Sequence, residues 1–435
     1  MIPTKNDFES RIDRQYGPAY LPWVVCLSAA LFFFYEFVQM SMFNAISTDL
    51  MADFNISAAQ FGNLSATYFY MYVLFLLPAG VILDRVSTRS LILCAMTLCV
   101  ASTYLFAWTH SYTTAMIAHA LTGAGGAFNL LSCLKLASRW FPPKRMAIIT
   151  GLVVTMAMLG GMIAQTPFAW LAKEISWRHA MMANGTLGVG FLIIISCVVH
   201  DYPRNYEERF HSENKLLKEI GFWRSIGQAL RNAQVWLAGL YTSFINLPVF
   251  LLGQTWGVLY LMQVRHLDKV QASNVSALLF FGLIVGPPIF GFLSDRIGRR
   301  RRPMIIGGIL SLATILAIMY LPLPSYGTLS ILFFLLGFFT SSQVIGYPVI
   351  AESSSHALTA TSLAVASVLI MLGGTTEPLF GWLLDWHWDG AMDHGVRVFS
   401  ASSFNLAFWM MPIAFMFALV CTIFIRETFC KAKEV

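Results

Sequence analysis

Gly80-Val81-Ile82-Leu83-Asp84-Arg85-Val86-Ser87-Thr88-Arg89 returns 211 residues later as Gly291-Phe292-Leu293-Ser294-Asp295-Arg296-Ile297-Gly298-Arg299-Arg300, in a chain of 435 residues. Each copy closes a long apolar run. Both keep Gly, Asp, Arg and a later Arg in register. A chain built from two similar hydrophobic halves has the pattern of a membrane transporter with internal repeats.

The composition points the same way. Hydrophobic residues make up 57% of the chain and charged residues 11%, against roughly 25% charged in soluble domains. So few charges cannot cover a water-facing surface, and lipid must solvate much of it. The net charge of +6 is spread through connections between apolar runs and forms no basic face, so nucleic acid is not expected as a partner. The cysteines (Cys26, Cys94, Cys99, Cys133, Cys197, Cys421, Cys430) contain no CxxC pair, which argues against a disulfide framework or a zinc site. Met1 to Pro18 lacks the basic-then-apolar order of a cleaved signal. There is no P-loop and no HExxH, so the expectation is a protein that is not an enzyme, with no cofactor and no metal.

Twelve apolar runs are long enough to span a bilayer: 20–46, 59–83, 89–108, 112–138, 147–172, 180–199, 234–262, 271–294, 303–322, 326–351, 358–385 and 402–426. The expected fold is an all-α membrane protein with twelve transmembrane helices in two six-helix halves related by pseudo-symmetry. Residues 1–199 form the first bundle and 234–435 the second. Residues 200–233 are charge-rich with helical apolar spacing (Leu216, Leu217, Ile220, Trp223, Ile226, Leu230) and read as a cytoplasmic linker. With the N-terminus inside, 22 of 28 Lys and Arg fall on the inner side. Lys173, Arg178, Arg265, Lys269 and Arg397 fall outside, and Lys135 lies within a span. The positive-inside rule then places both termini in the cytoplasm.

Six plus six spans, with Gly-x-x-x-Asp-Arg between spans 2 and 3 and again between spans 8 and 9, resemble the major facilitator superfamily over essentially the whole chain. The second copy matches the family loop fully. The first has Ser87 where the family has Gly, and Thr88 where it has a basic residue. Trp177-Arg178 between spans 5 and 6, Ala351-Glu352 closing span 10 and Gly381-Trp382-Leu383-Leu384-Asp385 closing span 11 also match. Gating contacts are expected from Gly80, Asp84, Arg85, Arg89, Gly291, Asp295, Arg296, Gly298, Arg299, Arg300 and Glu352. The glycines would let helices approach closely. The carboxylates would meet an Arg or a helix N-terminus. The arginines also read as positive-inside anchors.

Ionisable groups inside spans are costly and mark function by default. Glu36, in Phe33-Phe34-Tyr35-Glu36-Phe37, lies roughly 22 Å from the inner end of span 1 at 1.5 Å per residue. It could bind a proton, pair with a substrate amine, or be satisfied by a neighbouring hydroxyl. The resemblance implies a central cavity lined by spans 1, 4, 7 and 10. His119 in span 4, just before Gly123-Ala124-Gly125-Gly126, stands where many relatives have Arg. It reads as a second proton group or as a packed neutral side chain. Its height differs from that of Glu36 by about 9 Å. Lys135 either snorkels to headgroups or attracts an anionic substrate. The other cavity candidates are Tyr35, Gln39, Asn129, Asn246, Gln254, Trp256, Gln343, Tyr347 and Glu377. Tyr68, Phe69, Tyr70 and Tyr72 in span 2 read as packing and lipid contact.

The expected function is proton-coupled import of a small polar organic solute by alternating access between the halves. Phe33 to Phe37 and Lys135-Leu136-Ala137-Ser138-Arg139-Trp140-Phe141-Pro142-Pro143 also resemble the bacterial anion/cation symporter-like group and the phagosomal nutrient and siderophore transporters. That resemblance implies an amino acid, nucleoside, carboxylate or carboxylate siderophore as substrate. The partners would be this solute, protons and the lipid bilayer, with a monomer sufficient, in the inner membrane of a bacterium. The alternatives are a proton-exchange exporter of a metabolite, siderophore or drug, and a non-cycling, transporter-like sensor or partner subunit. Span 5 has Gly151, Gly160 and Gly161 but lacks the Gly-Pro pattern of proton/drug antiporters, which counts against the exporter.

Overall fold

Long apolar runs in lipid must satisfy their backbone internally, so they fold as helices. A computed structural model describes residues 20–141, 145–203, 222–322, 324–354, 359–393 and 396–430. Met1 to Pro18, most of the 200–233 linker, Lys144, Lys431, Lys433 and the side chain of Asp84 lie outside the described residues. Among the described residues, eleven helices are long and apolar enough to cross a membrane. They are span 1 (Leu21–Ala45), span 3 (Thr88–Trp108), span 4 (Tyr112–Trp140), span 5 (Ile148–Ile175), span 6 (Trp177–Val198), span 7 (Ala233–Gln263), span 8 (Lys269–Ile297), span 9 (Arg301–Tyr320), span 10 (Tyr326–Ser353), span 11 (Thr361–Trp386) and span 12 (Ala401–Phe424). A further helix of 28 residues, Ala58–Arg85, occupies the expected place of span 2. A short helix, Ser47–Phe54, follows span 1. A two-stranded hairpin, Met392–Asp393 with Val396–Arg397, precedes span 12.

Spans 1–6 pack chiefly on one another, as do spans 7–12. Between the two sets, span 2 lies against span 11, span 5 against span 8, and span 1 against span 7. Spans 1, 4 and 7 are the most buried and span 6 the least. Outward faces carry Leu74, Ile193, Ile331 and Ile423, all well exposed, as lipid contact requires.

Among the described residues, six spans are interrupted, among them span 5 at Ala164 and Gln165 and span 12 at Trp409. Span 4 breaks at Ala127 and Phe128. Span 7 runs as a π-helix over Val249–Trp256, directly after Pro248. Spans 10 and 11 tighten to 3-10 geometry over Ser341–Ile345 and Leu372–Thr376. Such breaks free backbone groups that must find other partners at membrane depth.

The repeated stretch shows how one position serves two turns. Gly298 adopts φ +65 and ends span 8 as a left-handed cap, its N–H donating to the Asp295 carbonyl at 3.1 Å. Only glycine takes that conformation without strain. The equivalent Ser87 has φ −54 and starts span 3, its hydroxyl accepting from the Ser90 N–H at 3.2 Å. The serine is therefore a sound N-cap. The expectation that Gly80 and Gly291 sit at close helix crossings does not hold in this conformation. A Cβ at either position would meet nothing within 4 Å.

Candidate functional site

Glu36 is fully buried in span 1, and span 4 makes room for it. A Cβ on Gly126 would lie 2.6 Å from Glu36 Oε2 and 2.3 Å from the Tyr68 hydroxyl. A Cβ on Gly125 would strike the Cys99 sulfur at 2.4 Å, and one on Gly123 the Tyr68 carbonyl at 2.1 Å. The Gly123-Ala124-Gly125-Gly126 run thus forms the floor of a small pocket for a carboxyl, a phenol and a thiol. Tyr68 donates to Glu36 Oε2 at 3.1 Å, while Oε1 has no partner.

Tyr68 packs in span 2 as read from the sequence and adds a polar contact to that packing. Its ring stacks on Tyr72 with centroids 5.8 Å apart, and Tyr72 donates to Asn129 Oδ1 at 3.5 Å. Asn129 Nδ2 is buried without a partner. The ladder Glu36–Tyr68–Tyr72–Asn129 therefore ends in an open acceptor and an open donor. An aromatic position looks like packing in sequence, because only the structure shows where a phenol hydroxyl points. Phe69 does pack, against Phe250 at 5.2 Å.

His119 does not touch Glu36. It stacks on Phe43 with centroids 4.3 Å apart, lies beside Tyr68 at 5.6 Å and bonds the Ser65 carbonyl. Tyr35 and Gln39 both turn to Thr103 of span 3, at 3.1 and 2.6 Å, and are buried in the packing of spans 1–6. Lys135 donates to the Leu83 carbonyl. In the second set of spans, Gln343 donates to Asn246 at 2.8 Å, both partly buried. Tyr347 is 38% exposed. Gln254 Oε1 and Trp256 Nε1 are buried without partners, with Trp256 stacked on Phe380 at 5.5 Å. Glu377 is fully buried, with the Ser65 and Thr255 hydroxyls beside its carboxyl.

At the loop end of the molecule, the repeated stretches are tied down locally. Asp201 accepts from the Ser87 hydroxyl, from the Arg89 N–H at 3.0 Å and from Arg139 at 3.5 Å. Arg300 pairs with Asp295 and Glu352, each at 2.7 Å. Glu427 accepts from the Arg300 and Arg301 N–H groups at 2.6 and 3.1 Å. Burial works against the Arg300 charge, but Glu352 and Asp295 hold the guanidinium above its ordinary pKa. All these ties stay within one set of six spans. Arg85, Arg296 and Arg299 are exposed, with Arg299 6.0 Å from the Phe429 ring centroid. Asp201, Arg139 and Glu427 were not legible as partners, since each lies more than a hundred residues, or two spans, from the loop it holds.

At the opposite end, the ties run between the two sets of spans. Asn44 donates to the Leu252 and Gly253 carbonyls at 2.8 and 3.1 Å, to Ser276 at 2.9 Å and to Gln165 at 3.1 Å. It accepts from the Val258 N–H at 2.8 Å. Gln165 donates to the Gly253 carbonyl at 2.8 Å. These two amides satisfy the backbone groups released by the π-helix of span 7. Asp385 accepts from the Ala58 and Ala59 N–H groups at 3.2 and 2.8 Å and pairs with Arg397 at 2.8 Å. Lys269 pairs with Asp49. A Cβ on Gly62 or Gly381 would meet backbone of the facing set at 2.5 or 2.3 Å. Between the two sets, the glycines at close backbone approach are Gly62 and Gly381, not those of the repeated loops. Asn44 and Gln165 look in sequence like any other span amide, and only the facing of spans 1, 5 and 7 shows that they supply partners to interrupted backbone.

The interrupted central helices, the paired repeats and this two-ended arrangement define a membrane transporter. The family model for the Major Facilitator Superfamily matches residues 27–278 and 253–433, and the chain belongs to that family. It is 22% identical over 415 residues to the membrane sensor protein UhpC of Salmonella typhimurium (strain LT2), covering 90% of each chain. It is 20% identical over 421 residues to the probable galactarate/D-glucarate transporter GarP of Escherichia coli (strain K12), covering 90% of this chain and 91% of that protein. Among solved structures, a bacterial homolog to the human lysosomal transporter Spinster, inward-facing and unoccupied, matches with TM-score 0.76 and 17% identity, over 94% of this chain and 98% of that one.

Proposed function

We propose that the chain imports a small polar organic solute, with carboxylates the favoured class, by proton symport and alternating access. The observation that carries the reading is Glu36: a fully buried carboxyl in a pocket floored by Gly126, with one oxygen held by Tyr68 and the other open. Such a group takes and releases a proton, and the Asn129 Nδ2 at the other end of the ladder, buried without a partner, is a donor suited to a carboxylate. Residues 1–199 and 234–435 are the two rocking bundles, 200–233 is their cytoplasmic linker, and both termini face the cytoplasm of a bacterium. The loop end is then the inner end. A galactarate/D-glucarate transporter among the relatives supports the carboxylate class. Lys135 and the partly buried Gln343–Asn246 pair would meet the solute from opposite sides.

The test is uptake into proteoliposomes with and without an inward proton gradient, using labelled carboxylates, amino acids, nucleosides and ferric siderophores. Wild type should accumulate one class only with the gradient. Glu36→Gln should lose accumulation at least tenfold while retaining exchange. Extrusion driven by the gradient would replace the importer with the exporter. A second reading has its own support, because UhpC is named a membrane sensor protein and aligns over 90% of both chains. Solute binding without uptake, extrusion or exchange would favour the sensor.

A further inference from the structure

Glu36 and Glu377 are both fully buried carboxyls, but their surroundings differ in kind. The groups around Glu36 (Tyr68, Cys99, Gly126) all come from spans 2, 3 and 4. Rocking one set of spans as a rigid body leaves that shell unchanged. Glu377 begins the last segment of span 11, and its shell spans the division. Ser65 of span 2 and Thr255 of span 7 lie beside its carboxyl and share a hydrogen bond of 3.3 Å with each other. The backbone of Gly62 crosses so tightly that a Cβ there would sit 2.5 Å from the Glu377 carbonyl. Opening this end must pull Ser65 and Gly62 away from Glu377 and admit water.

Among the described residues, no charged group compensates the carboxyl while this end is shut. Span 2 contributes Tyr70, which is electrostatically coupled to it. Span 4 contributes His119, which is held by the Ser65 carbonyl. Spans 7 and 12 contain no Asp, Glu, Lys or Arg. On its own span, Asp385 is already committed to Arg397 and to the Ala58 and Ala59 amides. An ionised carboxylate with only the Ser65 and Thr255 hydroxyls beside it and no cation in contact is strongly disfavoured in so buried a place, whereas the same group in an opened, hydrated cleft is not.

We propose that Glu377 is a second proton-binding site, occupied when the end of the molecule opposite the repeated loops is closed and able to empty only when that end opens. Its proton affinity differs between the two conformations, which is the condition for coupling binding to a conformational change. The Ser65 and Thr255 hydroxyls mark the place the carboxyl leaves on opening. This rests on the proton-coupled reading of the chain and adds the group that ties closure to protonation.

The test is the distance between spin labels at Ala52→Cys and Asp389→Cys, on opposite sides of this end, in lipid with Cys94, Cys197 and Cys430 replaced by serine. It needs no solute and no uptake, so its failure is separate from failure of the import reading. The open fraction of the otherwise wild-type chain should rise with pH, by up to about tenfold per unit where one proton is linked to closure. Glu377→Gln should stay closed at every pH, and Glu377→Asp, which keeps a carboxyl, should keep the rise. Three results would overturn the site: an open fraction in wild type that ignores pH, Glu377→Gln tracking wild type or standing open, or a flat response from Glu377→Asp.

Discussion

The two ends of this molecule solve the same problem in opposite ways. At the loop end, charged groups are held inside one set of spans: Arg89 by the Ser196 carbonyl, Arg139 by Asp201, and Arg300 by Asp295 and Glu352. At the other end, polar groups reach across: Asn44 and Gln165 to span 7, Asp385 to the start of span 2, and Lys269 to Asp49. The first arrangement lets the sets separate without leaving a group bare. The second holds them together, and opening there must break hydrogen bonds that lipid cannot replace. Even the glycines divide this way, with Gly62 and Gly381 at tight crossings and Gly80 and Gly291 beside open space.

The largest expected effect is at the centre of the closed end. Asn44→Leu strands the Val258 N–H just beyond the π-helix and leaves the Leu252 and Gly253 carbonyls with only Ser276 and Gln165 as side-chain donors. At about 1–3 kcal/mol for the buried group left unsatisfied and about 1 kcal/mol for the further hydrogen bonds lost, the loss is about 3 kcal/mol. Thermal unfolding in detergent should show it as a large fall in Tm, and the label pair across this end should move apart. A fall in Tm with no movement would mean that Asn44 braces span 7 and does not hold the two sets together.

A smaller effect belongs to the loop end. Glu352→Gln leaves Arg300 with Asp295 alone and should cost about 2 kcal/mol, below the range for a fully buried pair because water reaches the rim. The same unfolding measurement reads it. The distance across the opposite end should not change, since this tie lies within spans 7–12. Opening there in Glu352→Gln would erase the distinction between the ends.

Much of the fold was legible because a bilayer imposes a length and an apolar composition on every helix. Leu21–Ala45, Thr88–Trp108 and Ala401–Phe424 begin and end within two residues of the runs read from sequence. The repeated stretch announced the two sets of spans, and Glu36 was visible as a lone carboxyl among aromatics. Less was legible where chemistry depends on which helix faces which. Tyr68 looked like any aromatic until its hydroxyl was seen on Glu36, and Gly126 acquires meaning only from the two oxygens its missing Cβ would strike. The π-helix of span 7 leaves a trace in Pro248, but the amides that complete it come from spans 1 and 5. His119 stood about 9 Å from Glu36 in height by helix rise, and it turns to Phe43 and the Ser65 carbonyl.

The claim that joins these observations is that the two ends open in alternation. It is tested most directly by two label pairs in the same lipid-embedded protein: Ala52→Cys with Asp389→Cys across the closed end, and Val86→Cys with Ile297→Cys at equivalent places in the two repeated loops. On addition of a transported solute, the two distances should change in opposite directions, the first lengthening in the molecules in which the second shortens. Distances that stay fixed, or that lengthen and shorten together, would contradict it.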